Sequence, residues 1–136
     1  MKIRVAIVGV GEFGKNHVRV VRQSQRAELV AVVDTNHARA SEVATTNDCA
    51  ALSDFRTLAG KVDAAIVSVP TSAHAEVGCC LLEAGIDVLV EKPMAQDLAS
   101  ADQLIHAADS HDRILQVGHL ERFNPAVIAL EKVARH

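Results

Sequence analysis

A glycine-rich turn, with an acidic residue placed downstream of it, constrains the fold of this chain more than any other feature. Residues 2–8 form an apolar segment typical of a strand, and the run Gly9-Val10-Gly11-Glu12-Phe13-Gly14 follows at once. A second apolar segment, 29–33, ends in Asp34, about 20 residues after Gly14. A G-x-G-x-x-G turn that joins a strand to a helix and is followed by such an acid predicts a dinucleotide-binding site.

Each glycine of this turn has its own physical role. Gly9 allows the tight turn, Gly11 lets the backbone approach a pyrophosphate, and Gly14 lets the helix pack closely on the strand. The pyrophosphate is expected on unpaired N–H groups at the helix N-terminus, with Asp34 accepting hydrogen bonds from a ribose diol. The alternative is a turn without a ligand, in which Asp34 only caps the next helix. The predicted cofactor-binding residues of this half of the site are Gly9, Gly11, Glu12, Phe13, Gly14, Asp34 and Thr35.

Composition and charge argue against several other functions. The 136 residues suit one domain, and a net charge of −3 with three aromatic residues, all Phe, argues against a nucleic-acid partner. Charged residues within the first apolar run argue against a signal peptide, and no apolar stretch approaches the roughly 18 residues of a membrane helix. The cysteines and histidines show no metal-binding spacing. We therefore expect a cytoplasmic protein with no metal site and no membrane or nucleic-acid partner.

Apolar strands alternate with helical segments along the whole chain. This alternation predicts an α/β fold: a doubly wound parallel sheet of the Rossmann type, in a single domain, with strand order 3-2-1-4-5-6. Ligands of such a sheet bind outside the carboxyl ends of the strands, at the topological switch point. The strands are predicted near 2–8, 28–34, 49–52, 63–69, 86–90 and 113–117, and the helices near 12–24, 36–46, 54–58, 72–84, 97–109 and from Pro125 onward.

Unusual residues collect at the predicted strand ends. Besides the glycine turn and Asp34, they include Pro70-Thr71-Ser72, Glu91-Lys92-Pro93 and Gly118-His119. Lys92 is the candidate for chemistry, since a lysine at the rim of a cofactor crevice can orient a hydroxyl or carbonyl group, stabilise oxyanion charge or transfer a proton. On spacing alone, a solvated lysine in a charged turn explains this residue equally well.

Three segments of the chain resemble one family of oxidoreductases. Glu91-Lys92-Pro93 continues into Met94-Ala95 after the fifth strand, Pro70-Thr71-Ser72-Ala73-His74 follows the fourth, and residues 118–125, G-H-L-E-R-F-N-P, follow the sixth. In these motifs and their spacing the chain resembles the glucose–fructose oxidoreductase / inositol dehydrogenase / MocA family over essentially its whole length. The resemblance implies an NAD(P)-dependent oxidoreductase acting on a sugar, a cyclitol or a nucleotide-linked sugar.

The resemblance also implies roles for individual residues. Lys92 would be a catalytic lysine near the reacting carbinol, and Glu91 would help to seat the cofactor. Thr71 and His74 would line the nicotinamide end of the crevice, and Arg122 would lie beside the active site. A packing role for His74 and a surface ion pair for Arg122 are the alternatives. The predicted residues of this half of the site are Pro70, Thr71, His74, Glu91, Lys92 and Arg122, with Lys92 as the catalytic one.

Family members are usually more than twice as long as this chain. The resemblance therefore divides it into a dinucleotide-binding Rossmann domain, residues 1–120, and a helix, residues 121–136, leading to a C-terminal substrate domain that the chain lacks. The isolated chain is expected to bind its cofactor without full activity. Its last helix, or the segment from Gly118 to Asn124, is expected to contribute to self-association or to lie disordered, because uncovered apolar surface favours a partner.

NAD is expected to bind in preference to NADP. Asp34 would repel a 2′-phosphate, and no arginine follows it at positions 35–38. Arg39 is expected on the surface of the second helix, with a place near the adenosine ribose as the less favoured alternative. A free-standing NAD(H) sensor is the competing function, and an adenosylmethionine site on the same fold is a weaker one. Neither explains a reactive lysine after the fifth strand.

Overall fold

Six parallel strands form the centre of the molecule. The computed structural model describes residues 1–134. The strands are hydrogen-bonded in the order β3-β2-β1-β4-β5-β6, which confirms the predicted doubly wound sheet. The chain order reverses between β1 and β4, so the switch point lies at the carboxyl ends of these two strands. Their ranges are β1 (Ile3–Val8), β2 (Ala27–Val33), β3 (Ala50–Leu52), β4 (Ala64–Val67), β5 (Asp87–Val90) and β6 (Leu115–Val117).

Helices alternate with the strands, as the sequence predicts. Within residues 1–134 the α-helices are α1 (Glu12–Gln23), α2 (His37–Asn47), α3 (His74–Glu83), α4 (Leu98–Ser110) and α5 (Pro125–Ala134). Single 3-10 turns cover Phe55–Leu58, Thr71–Ala73 and Leu120–Phe123. In this part of the chain, no helix combines the length and the apolar character needed to cross a bilayer.

Alternating side chains of β1 explain why both faces of the sheet are buried. Ile7 packs in one core layer with Val18 of α1, and Val8 packs in the opposite layer with Leu104 of α4. Successive side chains of a strand point to opposite faces, so a parallel strand covered on both sides is apolar throughout. Ile7 and Leu104 are fully buried, and each such side chain stabilises the fold by about 1.5–3 kcal/mol. The strand ends therefore stand on a rigid, doubly covered sheet.

Helix α5 lies outside this core. None of its residues up to Ala134 is buried, and its main neighbour is the 3-10 turn Leu120–Phe123 rather than the sheet. Val127, Ile128, Leu130 and Val133 each keep 40–73% of their surface exposed. The helix is thus present and uncovered. Residues 135–136, which the predicted linker helix also included, lie outside the described residues, and the domain boundary near residue 120 stays a prediction.

Candidate functional site

Gly9 begins the turn that leaves β1, and no other residue fits there without strain. Its φ of 89° lies in the left-handed region that side chains disfavour. A Cβ atom at this position would also lie 2.6 Å from the backbone oxygen of Ser68, at the end of β4. The Gly9 N–H donates to the Val33 carbonyl at 2.8 Å. The glycine therefore lets β1, β2 and β4 converge at the switch point.

Gly14 and Gly11 face opposite environments. Gly14 is buried in the first turn of α1, where a Cβ atom would collide with the Gly9 carbonyl oxygen. Gly11, the residue that precedes α1, would place a Cβ atom with no neighbour within 4 Å. Gly14 thus serves close packing of helix on strand, whereas Gly11 leaves space beside the N–H groups of the first helical turn. Those groups have no intrahelical partner and attract anions.

A cleft of about 790 Å³ opens at the carboxyl ends of the first four strands. Five predicted site residues line it: Gly9, Gly11, Asp34, Thr35 and Pro70. Gly14 lies beneath it, and Glu12 and Phe13 are exposed in the first turn of α1. Apart from Arg39, sequence reasoning missed the other polar and aromatic lining residues, which are Ser53, Asp54, Phe55, Arg56, Ser68 and Glu76. Most of these residues directly follow β3 or β4, so the rule that ligands bind at the carboxyl ends of the strands could have found them.

Two missed features of the cleft suit a nucleotide. The Ser68 hydroxyl oxygen is buried and has no hydrogen-bond partner among the described residues, which leaves a polar atom available to a ligand. On the other wall, the Arg56 guanidinium lies 4.5 Å from the centre of the Phe55 ring and 3.0 Å from Glu76 of α3. The cleft therefore offers a polar floor, an aromatic wall and the open space beside Gly11.

Asp34 directly follows β2, and both oxygens of its carboxylate accept hydrogen bonds. One carboxylate oxygen accepts the Val10 N–H at 3.0 Å, and the other accepts the Asn36 N–H at 2.8 Å. Arg39 donates to both oxygens, from Nε at 2.9 Å and from Nη2 at 2.8 Å. Burial alone would raise the pKa of Asp34, but the hydrogen bonds from Arg39, Asn36 and Val10 outweigh it and lower that pKa. The carboxylate therefore stays charged at neutral pH.

Arg39 belongs to the cleft rather than to the outer surface of α2. Its side chain lines the cleft and is 42% exposed, whereas its partner Asp34 is 4% exposed. The favoured expectation of a plain helix-surface arginine is wrong in this respect. Asn36 begins α2 by accepting the backbone N–H of Arg39, and this turn brings the side chain back over Asp34. The sequence argument considered only an arginine at positions 35–38, and therefore did not predict that Arg39, one turn into α2, contacts Asp34.

Glu91 links the end of β5 to α1. One carboxylate oxygen lies 2.6 Å from Nε2 of His17, and the other accepts the Lys92 N–H at 3.3 Å. Both side chains are nearly buried, at 13% exposure for Glu91 and 15% for His17. A Cβ atom on Gly118 would lie 3.2 Å from the Glu91 carboxylate, so β6 also closes around it. Glu91 does not line the cleft, and these contacts hold its carboxylate beside the backbone of Lys92, while a cofactor contact for Glu91 stays a prediction.

His74 ties the ends of β4 and β5 together. It is 1% exposed, and its ring nitrogens lie 2.9 Å from the Val69 carbonyl oxygen and 3.0 Å from that of Pro93. The ring is thus held between two backbone segments. Thr71, half-buried in the adjacent 3-10 turn, does not line the cleft. A cofactor contact for either residue stays a prediction.

Lys92 is exposed at the end of β5. The peptide bond between Lys92 and Pro93 is cis. Within residues 1–134, no hydrogen bond or ion pair engages the Lys92 ammonium group. Arg122 is also exposed, in the turn after β6, and does not line the cleft. The described residues contain no cluster of three His, Cys, Asp or Glu side chains able to hold a metal ion.

A parallel sheet in this order, with a glycine turn and an acid at its switch point, defines a Rossmann dinucleotide-binding domain. Residues 3–119 match the GFO/IDH/MocA family, described as an oxidoreductase family with an NAD-binding Rossmann fold. The chain belongs to this family. The resemblance inferred from the motifs at residues 70–74, 91–95 and 118–125 is thereby confirmed.

Curated relatives include dehydrogenases of nucleotide sugars and cyclitols. UDP-N-acetylglucosamine 3-dehydrogenase of Acidithiobacillus ferrooxidans is 35% identical over 125 residues, covering 92% of this chain and 39% of the relative. Inositol 2-dehydrogenase 1 of Paenarthrobacter aurescens is 34% identical over 140 residues, covering 98% of this chain and 41% of the relative. The chain thus spans about 40% of the length of the curated relatives it matches.

Solved structures show the same domain. The Acidithiobacillus ferrooxidans UDP-N-acetylglucosamine 3-dehydrogenase superposes with a TM-score of 0.91 at 34% identity, covering 98% of this chain and 44% of that one. Scyllo-inositol dehydrogenase from Lactobacillus casei, solved with bound NAD(H) and scyllo-inositol, gives a TM-score of 0.92 at 23% identity, covering 99% of this chain and 41% of that one. The second likeness shows the fold alone.

Proposed function

We propose that this protein is an NAD-dependent dehydrogenase that oxidises a hydroxyl group of a sugar, a cyclitol or a nucleotide sugar. The observation that carries the proposal is Lys92, an exposed ammonium group without a partner among residues 1–134, placed where β5 ends beside the switch point. An NAD(H) sensor would need the glycine turn and Asp34 but no such lysine. The names of the relatives supply the substrate classes.

The cleft accommodates the adenosine half of the cofactor in this proposal. The first turn of α1 and the space beside Gly11 suit the pyrophosphate, because unpaired N–H groups there bind anions. Asp34 and Thr35 lie where the adenosine ribose is held in this fold. The unpartnered Ser68 hydroxyl oxygen supplies a further polar contact on the floor. Pro70, Thr71 and Lys92 then follow in the direction of the nicotinamide.

Lys92 acts in proton transfer from and to the reacting hydroxyl group. The bound nicotinamide would supply the hydride acceptor. In this proposal the Lys92 amino group exchanges a proton with the reacting hydroxyl group as the carbonyl forms, and it stabilises the oxyanion character that develops on that oxygen. The Glu91 carboxylate, held by His17 and by the Lys92 N–H, fixes the backbone from which this side chain extends.

The experiment that tests this function is a turnover assay in a two-domain form of the protein, in which a substrate domain follows this chain. Reduction of NAD is measured against sugars, inositols and UDP-sugars. NAD reduction that depends on one of these substrate classes supports the proposal. Tight NAD binding without turnover on any of them would favour the sensor instead.

A cytoplasmic location is part of the proposal, because all three cysteines are free thiols, as in a reducing compartment.

We expect NAD to bind more tightly than NADP, and replacement of Asp34 with alanine to narrow the difference. The charged carboxylate opposes a 2′-phosphate, whereas it accepts hydrogen bonds from an unmodified ribose. Loss of these hydrogen bonds should weaken NAD binding by about tenfold, or roughly 1.4 kcal/mol. Calorimetric titration of both dinucleotides measures the effect. Equal affinity of the wild-type protein for NAD and NADP would contradict the expectation.

The isolated chain should fold, bind NAD weakly, show no dehydrogenase activity and self-associate through α5. The exposed apolar residues of this helix need a partner, because large uncovered apolar surface favours association. Light scattering should show an apparent mass that rises with protein concentration. Leu130→Glu should abolish the rise, whereas Leu98→Glu, at an exposed apolar residue of α4, should not. A chain ending at Gly118 that associates as strongly would refute the role of α5.

A further inference from the structure

The residues on either side of Lys92 are each held by a histidine from a different helix. Glu91 precedes Lys92, and one oxygen of its carboxylate lies 2.6 Å from Nε2 of His17 on α1. Pro93 follows Lys92, and its carbonyl oxygen lies 3.0 Å from Nδ1 of His74 on α3. The ammonium group of Lys92 has no such contact among residues 1–134. The backbone is therefore held on both sides, and the side chain stays available to a substrate.

The contact on the Glu91 side depends on His17. The two side chains are nearly buried, at 15% and 13% exposure, and a nearly buried carboxylate loses stability when it loses a hydrogen-bond donor. The second carboxylate oxygen accepts the Lys92 N–H at 3.3 Å. Without the imidazole, the carboxylate would move toward water and away from the Lys92 N–H.

Helix α1 also carries the proposed pyrophosphate site. Its first turn begins after Gly11, where the N–H groups without intrahelical partners suit an anion, and His17 lies in its second turn. The contact between His17 and Glu91 thus joins the helix that receives the cofactor to the backbone that carries Lys92. One helix then sets the position of Lys92 relative to the pyrophosphate.

The contact on the Pro93 side depends on His74. This ring is 1% exposed, and its Nε2 lies 2.9 Å from the carbonyl oxygen of Val69, just beyond the end of β4. An imidazole N–H donates to a carbonyl oxygen. His74 therefore connects the chain after β4 to the chain after β5. This connection gives the buried ring a function that requires no contact with the cofactor.

We propose that His17 and His74 are positioning residues for Lys92, which hold the backbone of residues 91–93 so that the amino group reaches one place in the site. This inference rests on the proposed catalytic role of Lys92. A lysine side chain is long and flexible, so its reach depends on a fixed backbone. Misplacing a reacting group by about 1 Å can cost about a hundredfold in rate. Loss of either histidine should therefore lower kcat more than it changes the affinity for the cofactor.

The first test measures the backbone motion of Lys92 in the 136-residue chain, by NMR relaxation of its amide nitrogen. Two variants, His17→Leu and His74→Leu, remove the ring nitrogens. Two others, His17→Gln and His74→Asn, keep an amide donor near the position of the ring nitrogen that makes the contact. His106→Leu, at an exposed histidine of α4, is the control. Thermal unfolding shows whether each variant is folded.

The order parameter of the Lys92 N–H should be about 0.85 in the wild-type chain, the control and the two amide variants, and below about 0.6 in the two leucine variants. A Lys92 N–H that stays rigid in a leucine variant would overturn the proposal for that histidine. A mobile Lys92 N–H in the wild-type chain would overturn it for both. If the buried site of His74 does not tolerate leucine, the His17 variants decide, because His17 is partly exposed.

The second test measures turnover of the same variants in a two-domain form of the protein. The leucine variants should lower kcat by about tenfold to a hundredfold and change the KM for NAD by less than about threefold. The amide variants should recover most of the lost kcat. A raised KM for NAD with unchanged kcat would overturn the proposal and assign the histidines to cofactor binding. If the wild-type two-domain protein oxidises no sugar, inositol or UDP-sugar, the proposed function fails, whereas the order parameters still decide whether the histidines hold the backbone of Lys92.

Discussion

Replacing Lys92 with alanine is expected to lower turnover in a two-domain form of the protein by about two or more orders of magnitude. The affinity for NAD should change by less than about tenfold, or roughly 1.4 kcal/mol. The reason is the position of the side chain. Lys92 does not line the adenosine cleft, and its ammonium group is exposed at the end of β5 without a partner among residues 1–134. Steady-state kinetics and NAD titration on the same preparation measure both quantities.

The matched control for this variant is Lys61→Ala. Lys61 is exposed, follows the 3-10 turn Phe55–Leu58 and lies outside the cleft, so its loss changes the net charge equally. Both variants should keep the wild-type stability within about 0.5 kcal/mol, as expected for exposed side chains. Normal turnover of Lys92→Ala would return this residue to the alternative interpretation, a solvated lysine in a charged turn.

The sequence was sufficient to predict the sheet because each step depends on local pattern. Strand β1 is apolar at nearly every position, which fits a strand covered on both faces, and its core residues Ile7 and Val8 do pack into opposite layers. Alternation of strands and helices, with right-handed crossovers, then leaves few possible strand orders. The ends of the elements were less certain. Strand β4 ends at Val67 and not near 69, because Pro70 lacks an N–H group and the next 3-10 turn begins at Thr71.

The glycine turn was predictable in the same way, whereas the partners of the polar residues were not. Arg39 reaches Asp34 because α2 starts at once and returns its first turn over the strand end. The contact between the Glu91 carboxylate and His17 on α1 was not predicted, and the expected cofactor contact of Glu91 stays a prediction. Sequence position places a residue at a strand end, but which neighbour its side chain meets depends on how helices pack across the sheet. Ser68 was missed for a related reason, since its importance lies in having no partner.

Replacing Gly11 with alanine is expected to weaken NAD binding strongly while leaving the fold intact. The backbone of Gly11 has a φ of −68°, which alanine adopts freely, and the added Cβ atom would meet no protein atom within 4 Å. Stability should therefore stay the same or rise by about 0.4–1 kcal/mol. The methyl group would instead occupy space that the pyrophosphate needs to reach the N–H groups of α1. Loss of the charge-assisted hydrogen bonds to the pyrophosphate should weaken NAD binding by about a hundredfold, or roughly 2.7 kcal/mol.

Gly14→Ala is the matched variant with the opposite expectation, and the pair separates binding from folding. Its Cβ atom would collide with the Gly9 carbonyl oxygen, so α1 must move away from β1. Overpacking against backbone should cost about 3 kcal/mol and lower the unfolding midpoint by roughly 10 °C. Thermal unfolding and NAD titration of both variants decide the matter. The pyrophosphate does not lie beside Gly11 if Gly11→Ala binds NAD normally. The helix is not held by close packing if Gly14→Ala is as stable as the wild-type protein.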